Sequence, residues 1–217
     1  MKRTLLLVAA LLMSATSAFA LTVTYGWEDG NTILGKYGDV LESNVTSPVY
    51  AGSRSLQLVD MSSGDSISTP QAYVAWIKGL VDGDIVTASF WRYDTTPGTR
   101  PSSRIWAHWN DDPTDVMGYA GSASGNNDYG PGQGWDNTSW SWTVSGGHTG
   151  LVVEVRTYSE DGDTVWVDDL SVTAPDRLGV SITTPGGTVN AIPEPASLLA
   201  IATGLIGCVG VLRRRRN

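Results

Sequence analysis

Apolar and polar positions alternate in short runs along this chain, and helical spacing is nowhere sustained through its body. Ile85 to Tyr93 and Thr164 to Thr173 alternate almost residue by residue, the period-two pattern of a half-buried strand. Shorter apolar or alternating runs predict further strands at Thr22–Trp27, Val49–Tyr50, Ser55–Val59, Ala72–Lys78, Ser103–Trp109, Ser139–Val144 and Gly150–Tyr158. Turn formers separate them: Asp29-Gly30-Asn31, Ser62-Ser63-Gly64-Asp65, Asp82-Gly83-Asp84, Pro97-Gly98 and Glu160-Asp161-Gly162-Asp163, each rich in residues that favour tight turns. Closely spaced strands with no amphipathic helix between them predict an all-β antiparallel β-sandwich over residues 21–173. The polar stretch 111–136 reads as a long loop, ordered in part by Tyr119, Tyr129 and Trp135. Residues 174–191, with their Pro, Gly and Thr, read as a linker.

The two ends depart from this pattern. Residues 1–20 have a basic start at Lys2 and Arg3, an apolar stretch from Leu5 to Met13, and small residues at Ala18 and Ala20. That is the form of a secretory signal peptide cut after Ala20, and it predicts export through the Sec machinery. At the other end, Pro193-Glu194-Pro195 precedes an uncharged run over 196–212, followed by Arg213, Arg214, Arg215 and Arg216. A run of that length suits a short transmembrane helix, and arginines on one side only predict a cytoplasmic C-terminus. The prolines keep the preceding peptide extended and accessible.

Residues 192–217 resemble the PEP-CTERM sorting signal. The resemblance implies recognition by an exosortase, transient residence in the inner membrane, and delivery to the surface or extracellular matrix of a Gram-negative bacterium. It is an address and does not describe the work of the body.

Charge narrows that work. Between the signal and the apolar run stand eight basic and 22 acidic residues, a net of −14, which repels phosphate backbones and excludes nucleic acid as a partner. The single cysteine, Cys208, lies in the apolar run, so the body has no disulfide and must be held by its core. Neither His108 nor His148 stands in a zinc-ligand spacing, and no nucleophile elbow or phosphate loop occurs.

Two kinds of candidate chemistry remain. In Val165 to Val172, period two sets Trp166, Asp168, Leu170 and Val172 on one face. A carboxylate among apolar side chains needs a partner: a calcium ion, backbone N–H groups, or a cation such as Arg54. The other candidates are aromatic. Trp27, Trp76, Trp91 and Trp166 sit in apolar or alternating runs and read as core. Trp106, Trp109, Trp135, Trp140 and Trp142 flank the polar stretch, and on a strand Trp106, His108 and Asn110 share a face. Flat rings beside amides suit the C–H faces of sugars.

The body also resembles jelly-roll carbohydrate-binding modules through Trp27-Glu28-Asp29-Gly30, Pro48 to Leu58, Val86 to Tyr93 and Val165 to Val172. That resemblance implies a two-sheet jelly roll with adjacent terminal strands. It also implies a structural Ca²⁺ held by Glu28, Asp168 and the backbone near Ser53. The expected function is non-catalytic binding of extracellular polysaccharide. A matrix protein without a specific ligand is the alternative, and a glycan-active enzyme the third reading.

Overall fold

The computed structural model describes residues 20–63, 69–95, 103–158 and 162–192. Ala18, the apolar run 196–212, Pro193-Glu194-Pro195 and the terminal arginines lie outside them, as does Glu160.

Thirteen strands are described. They are β1 (Ala20–Tyr25), β2 (Gly35–Tyr37), β3 (Val40–Val45), β4 (Ser55–Asp60), β5 (Gln71–Lys78), β6 (Ile85–Asp94) and β7 (Ser103–Trp109). After them come β8 (Gly121–Gly125), β9 (Gly134–Thr143), β10 (Gly150–Thr157), β11 (Thr164–Pro175), β12 (Ser181–Thr184) and β13 (Gly187–Asn190). They form two antiparallel sheets. Sheet A runs β3-β4-β11-β6-β9, with β1 also paired to β11; sheet B runs β13-β12-β5-β10-β7-β8, with β2 also paired to β5.

The core lies between the sheets. From sheet A come Leu56, Leu58, Phe90, Val165, Val167, Leu170 and Val172; Ala72, Ile77, Ile105, Ala107, Leu151, Val153 and Val155 meet them from sheet B. Each fully buried branched side chain contributes about 1.5–3 kcal/mol, which explains how the domain stands without a disulfide. In β6 the buried and accessible residues alternate, as the pattern predicts. In β5 and β10 nearly every residue is buried, so loops must also cover part of sheet B's outer face.

The structure corrects several expectations. Val49–Tyr50 is loop rather than strand. In β11 a bulge lies between Asp168 and Ser171, with Asp169 at φ 49°. The extra residue shifts the alternation, so Val165, Val167, Leu170 and Val172 face the core. Trp166 and Asp168 therefore do not share a face with Leu170 and Val172. Residues 174–191 are not a free linker: β12 pairs with β5, and Val180, Ile182 and Ala191 are core residues. Inside 111–136, β8 pairs with β7. A side chain at Gly125 would collide with the backbone of Ile105 and Trp106, so glycine lets β8 lie that close.

Candidate functional site

On the outer face of sheet B the register sets three rows across β5, β10 and β7. They are Trp76-Val152-His108, Tyr73-Glu154-Trp106 and Gln71-Arg156-Arg104. The first row is roofed. Leu34 and Val116 pack on Trp76, Tyr73 and Val152, and Tyr119 lies 5.5 Å from the His108 ring. The loop that brings Val116 and Tyr119 there is built from turns in which Asn110, Asp112 and Asp115 accept the N–H two residues on.

A polar network runs through the second and third rows. Glu154 is fully buried; Oε1 meets His108 Nδ1 at 2.5 Å, and Oε2 accepts from Arg156 Nε at 2.7 Å. With its amide turned to suit its neighbours, Gln71 donates to Glu154 and accepts from Arg156, each at 3.3 Å. Because the carboxylate accepts, His108 Nδ1 carries the proton, and Nε2 is enclosed without a partner. Tyr73 is pushed up to about 12 by burial and then by the Glu154 charge, with Arg156, Tyr37 and Tyr119 also within reach of it.

Trp106 stands at the open part of this face. Its indole N–H donates to Ser122 Oγ at 3.0 Å, and the guanidinium carbons of Arg104 and Arg156 lie 4.7 and 4.5 Å from its ring centroid. Tyr37 and Tyr119, 52% and 70% exposed, stand on the same face. Accessible rings and fixed hydrogen-bonding groups together suit a flat, hydroxyl-bearing ligand.

Of the seven aromatic and amide candidates, only Trp106 and His108 belong here, and His108 supports the floor from below. Trp109 packs on the core and stacks on His148 at 4.9 Å. Asn110 is buried and donates to the Asp115 and Val116 carbonyls, holding the loop. Trp142 is core, its N–H donating to the Ser124 carbonyl. Trp135 packs against Tyr50 and Tyr93 on sheet A. Trp140 is 41% exposed and helps to line an open depression of about 440 Å³ on sheet A with Thr87, Ser89, Ser139, Ser141 and Ser171. Among tryptophans expected in the core, Trp27 is there, whereas Trp76 lies on sheet B's outer face and Trp91 stacks on Tyr50 at 3.9 Å. The residues missed are Tyr37, Tyr73, Arg104, Tyr119, Glu154 and Arg156. Glu154 is enclosed within its strand, and an acid inside Val152-Val153-Glu154-Val155 was the available signal.

The expected metal ligands form a clasp. Glu28 accepts the Ser53 N–H at 2.9 Å, the Ser53 hydroxyl at 2.5 Å and the Arg54 N–H at 3.2 Å. Asp168 Oδ2 accepts the Tyr50 and Ala51 N–H groups at 2.9 and 3.0 Å, and Oδ1 that of Asp169 at 2.7 Å. The Ser53 hydroxyl first, then its N–H, hold Glu28 below the usual glutamate range; burial pushes Asp168 up despite its N–H donors. These oxygens accept backbone N–H groups and a hydroxyl. Among the described residues no three His, Cys, Asp or Glu side chains gather as metal ligands. The contacts of the two carboxylates pin the 50–54 loop onto β11 and the start of the chain.

Residues 191–216 match the PEP-CTERM protein-sorting motif. The chain therefore carries a signal of exported proteins held at the C-terminus by the membrane before sorting to the cell surface. No curated protein matches the sequence. The fold is similar to the N-terminal CBM22-1-CBM22-2 tandem domain of Xyn10C from Paenibacillus barcinonensis. That match has a TM-score of 0.50 and 13% identity over 75% of this chain and 48% of the tandem. The single CBM22-1 xylan-binding domain of the same protein gives 0.49 and 14%, over 75% of this chain and 98% of that domain. At such identities the likeness is one of fold.

Proposed function

We propose that this is an exported surface protein whose sandwich binds an extracellular polysaccharide, without catalysis, on the outer face of sheet B. The observation that carries this reading is one sheet face that presents Trp106, with Tyr119 against His108 and Tyr37 level with Gln71, and holds Arg156 and Gln71 on the buried Glu154. Rings offer stacking surfaces for sugar C–H faces, and the network holds Arg156 in place to orient hydroxyls. The fold likeness to the CBM22-1-CBM22-2 tandem domain supports the same reading. Glu154 is bound on both oxygens and enclosed, so it is not placed to protonate a glycosidic oxygen as hydrolysis requires. The role is that of a binding component of the cell surface or biofilm matrix of a Gram-negative bacterium, with exosortase acting at the tail.

The test is tryptophan fluorescence of the full chain, in a mild non-ionic detergent, titrated with soluble xylan and with exopolysaccharide from the producing bacterium. A saturable shift is expected with at least one of them. Trp106→Ala should weaken it about tenfold, equivalent to ~1.4 kcal/mol, whereas Trp140→Ala on the opposite sheet should leave it unchanged. No saturable response to either glycan, or loss in Trp140→Ala alone, would overturn the proposal.

A further inference from the structure

We infer that the polysaccharide taken by this face is acidic, its sugar carboxylates neutralising Arg104 and Lys78; the inference rests on the glycan-binding reading above. The body is strongly acidic, and its few cations are mostly spent on carboxylates within the fold. Lys36 pairs with Glu42 at 2.8 Å, Arg92 with Asp136 at 2.7 Å, Arg156 with Glu154 at 2.7 Å, and Arg177 with Asp84 at 2.8 Å. Arg54 stands near enough to Glu28 to help lower its pKa. Among the described residues Arg54, Lys78 and Arg104 have no carboxylate at ion-pair distance, and of these Lys78 and Arg104 lie on the outer face of sheet B.

Arg104 is only 9% exposed. Its guanidinium carbon lies 4.7, 4.5 and 4.2 Å from the ring centroids of Trp106, Tyr129 and Tyr158. It donates to Asn127 Oδ1 at 2.9 Å and to the Tyr158 hydroxyl, and its Nε is enclosed without a partner. Ring faces attract a cation but do not neutralise it, and an enclosed charge without a counter-ion is costly. Lys78 sits 4.2 Å over the Trp76 ring and reaches only the Pro113 carbonyl, at 3.4 Å. Lys78 is level with Gly150, and Arg104 with Arg156 two strands away. Six residues of β10 at ~3.4 Å each separate those levels by about 20 Å. The two cations stand on different rows of the face, so each would take a carboxylate of its own. An extended chain with carboxylates repeated along it can meet both, which is the chemistry of a polysaccharide containing uronic acids.

Affinity electrophoresis of the full chain in detergent tests this, with gels containing polygalacturonate or its carboxyl-reduced, neutral form. Retardation should be about tenfold stronger on the acidic polymer, as one charged hydrogen bond supplies, and the difference should shrink at high salt. Lys78→Gln should reduce the preference while sparing retardation by the neutral polymer, and Arg104→Gln should reduce the preference. Lys78 is on the rim, so its variant stays informative if Arg104→Gln fails to fold. Equal retardation by both polymers would overturn the acidic specificity and leave glycan binding standing. Retardation by neither, with no fluorescence response to any glycan, would overturn both. A preference unchanged in both variants would overturn the assignment to these two cations.

Discussion

At the residue scale the pair Glu28 and Asp168 shows how far a sequence carries an argument. Asp168 was legible as a carboxylate needing a partner, backbone N–H groups among the candidates, and Glu28 came in through the resemblance alone; which N–H groups they meet was not legible, because donors from a loop leave no mark in the side-chain pattern. Asp168→Ala would strand the N–H groups of Tyr50, Ala51 and Asp169. Part-exposure of the loop tempers the cost, and the loss should be about 3 kcal/mol, seen as a lower urea midpoint. Calcium chloride or a chelator should leave the wild-type melting temperature unchanged; a clear rise with calcium would contradict the clasp. Its two halves also respond oppositely to pH. Glu28 is held below its ordinary 4.5, so its contribution is complete above that value and is lost as pH falls through the lower folded pKa. Asp168, raised above 3.8 by burial, costs stability as pH rises from the ordinary value through the folded one. Glu28→Gln should therefore lose less melting temperature than wild type between about pH 6 and pH 3.

Elements were legible where one face is buried and the other wet. Strands β6 and β11 follow that rule, and a bulge at Asp168–Asp169 then inverts the second half of β11, an event that periodicity alone does not announce. Strand β8, Gly-Ser-Ala-Ser-Gly, has no apolar signal and exists because β7 offers it an edge. The site suffered in the same way. Trp106 and His108 were visible as an alternating pair, but Glu154 and Arg156 acquire meaning only when β10 lies beside β7. Strands β12 and β13 were hidden by their brevity and by Pro185-Gly186-Gly187 between them. The first of these contributes Ile182 to the core and the approach to it contributes Val180, both essentially unexposed. Removing residues 176–190 should cost about 3–6 kcal/mol from those two side chains alone. Comparing urea unfolding of the truncated and intact chains measures it, and an unchanged midpoint would mean that β12 only decorates the sheet.

At the scale of the whole molecule, the folding of residues 174–191 onto sheet B changes how the body meets its sorting signal. Ala191 is 5% exposed, and its N–H donates to the Val180 carbonyl at 2.9 Å. The folded domain thus continues to within two residues of Pro193, the start of the peptide that the processing enzyme must reach. A protease needs an extended segment on both sides of the bond it cuts, and here one side is committed to β12 and β13. Processing should then depend on fraying of this hairpin, the last strands of sheet B in sequence and its edge. Inserting about ten Gly/Ser residues between Ile192 and Pro193 adds a reach of about 15–20 Å without touching the motif. Pulse-chase immunoblots in the producing bacterium should show the inserted form converting faster to the shortened product than wild type. Equal rates would mean that the enzyme cuts beyond the constraint of the hairpin, within the tail itself.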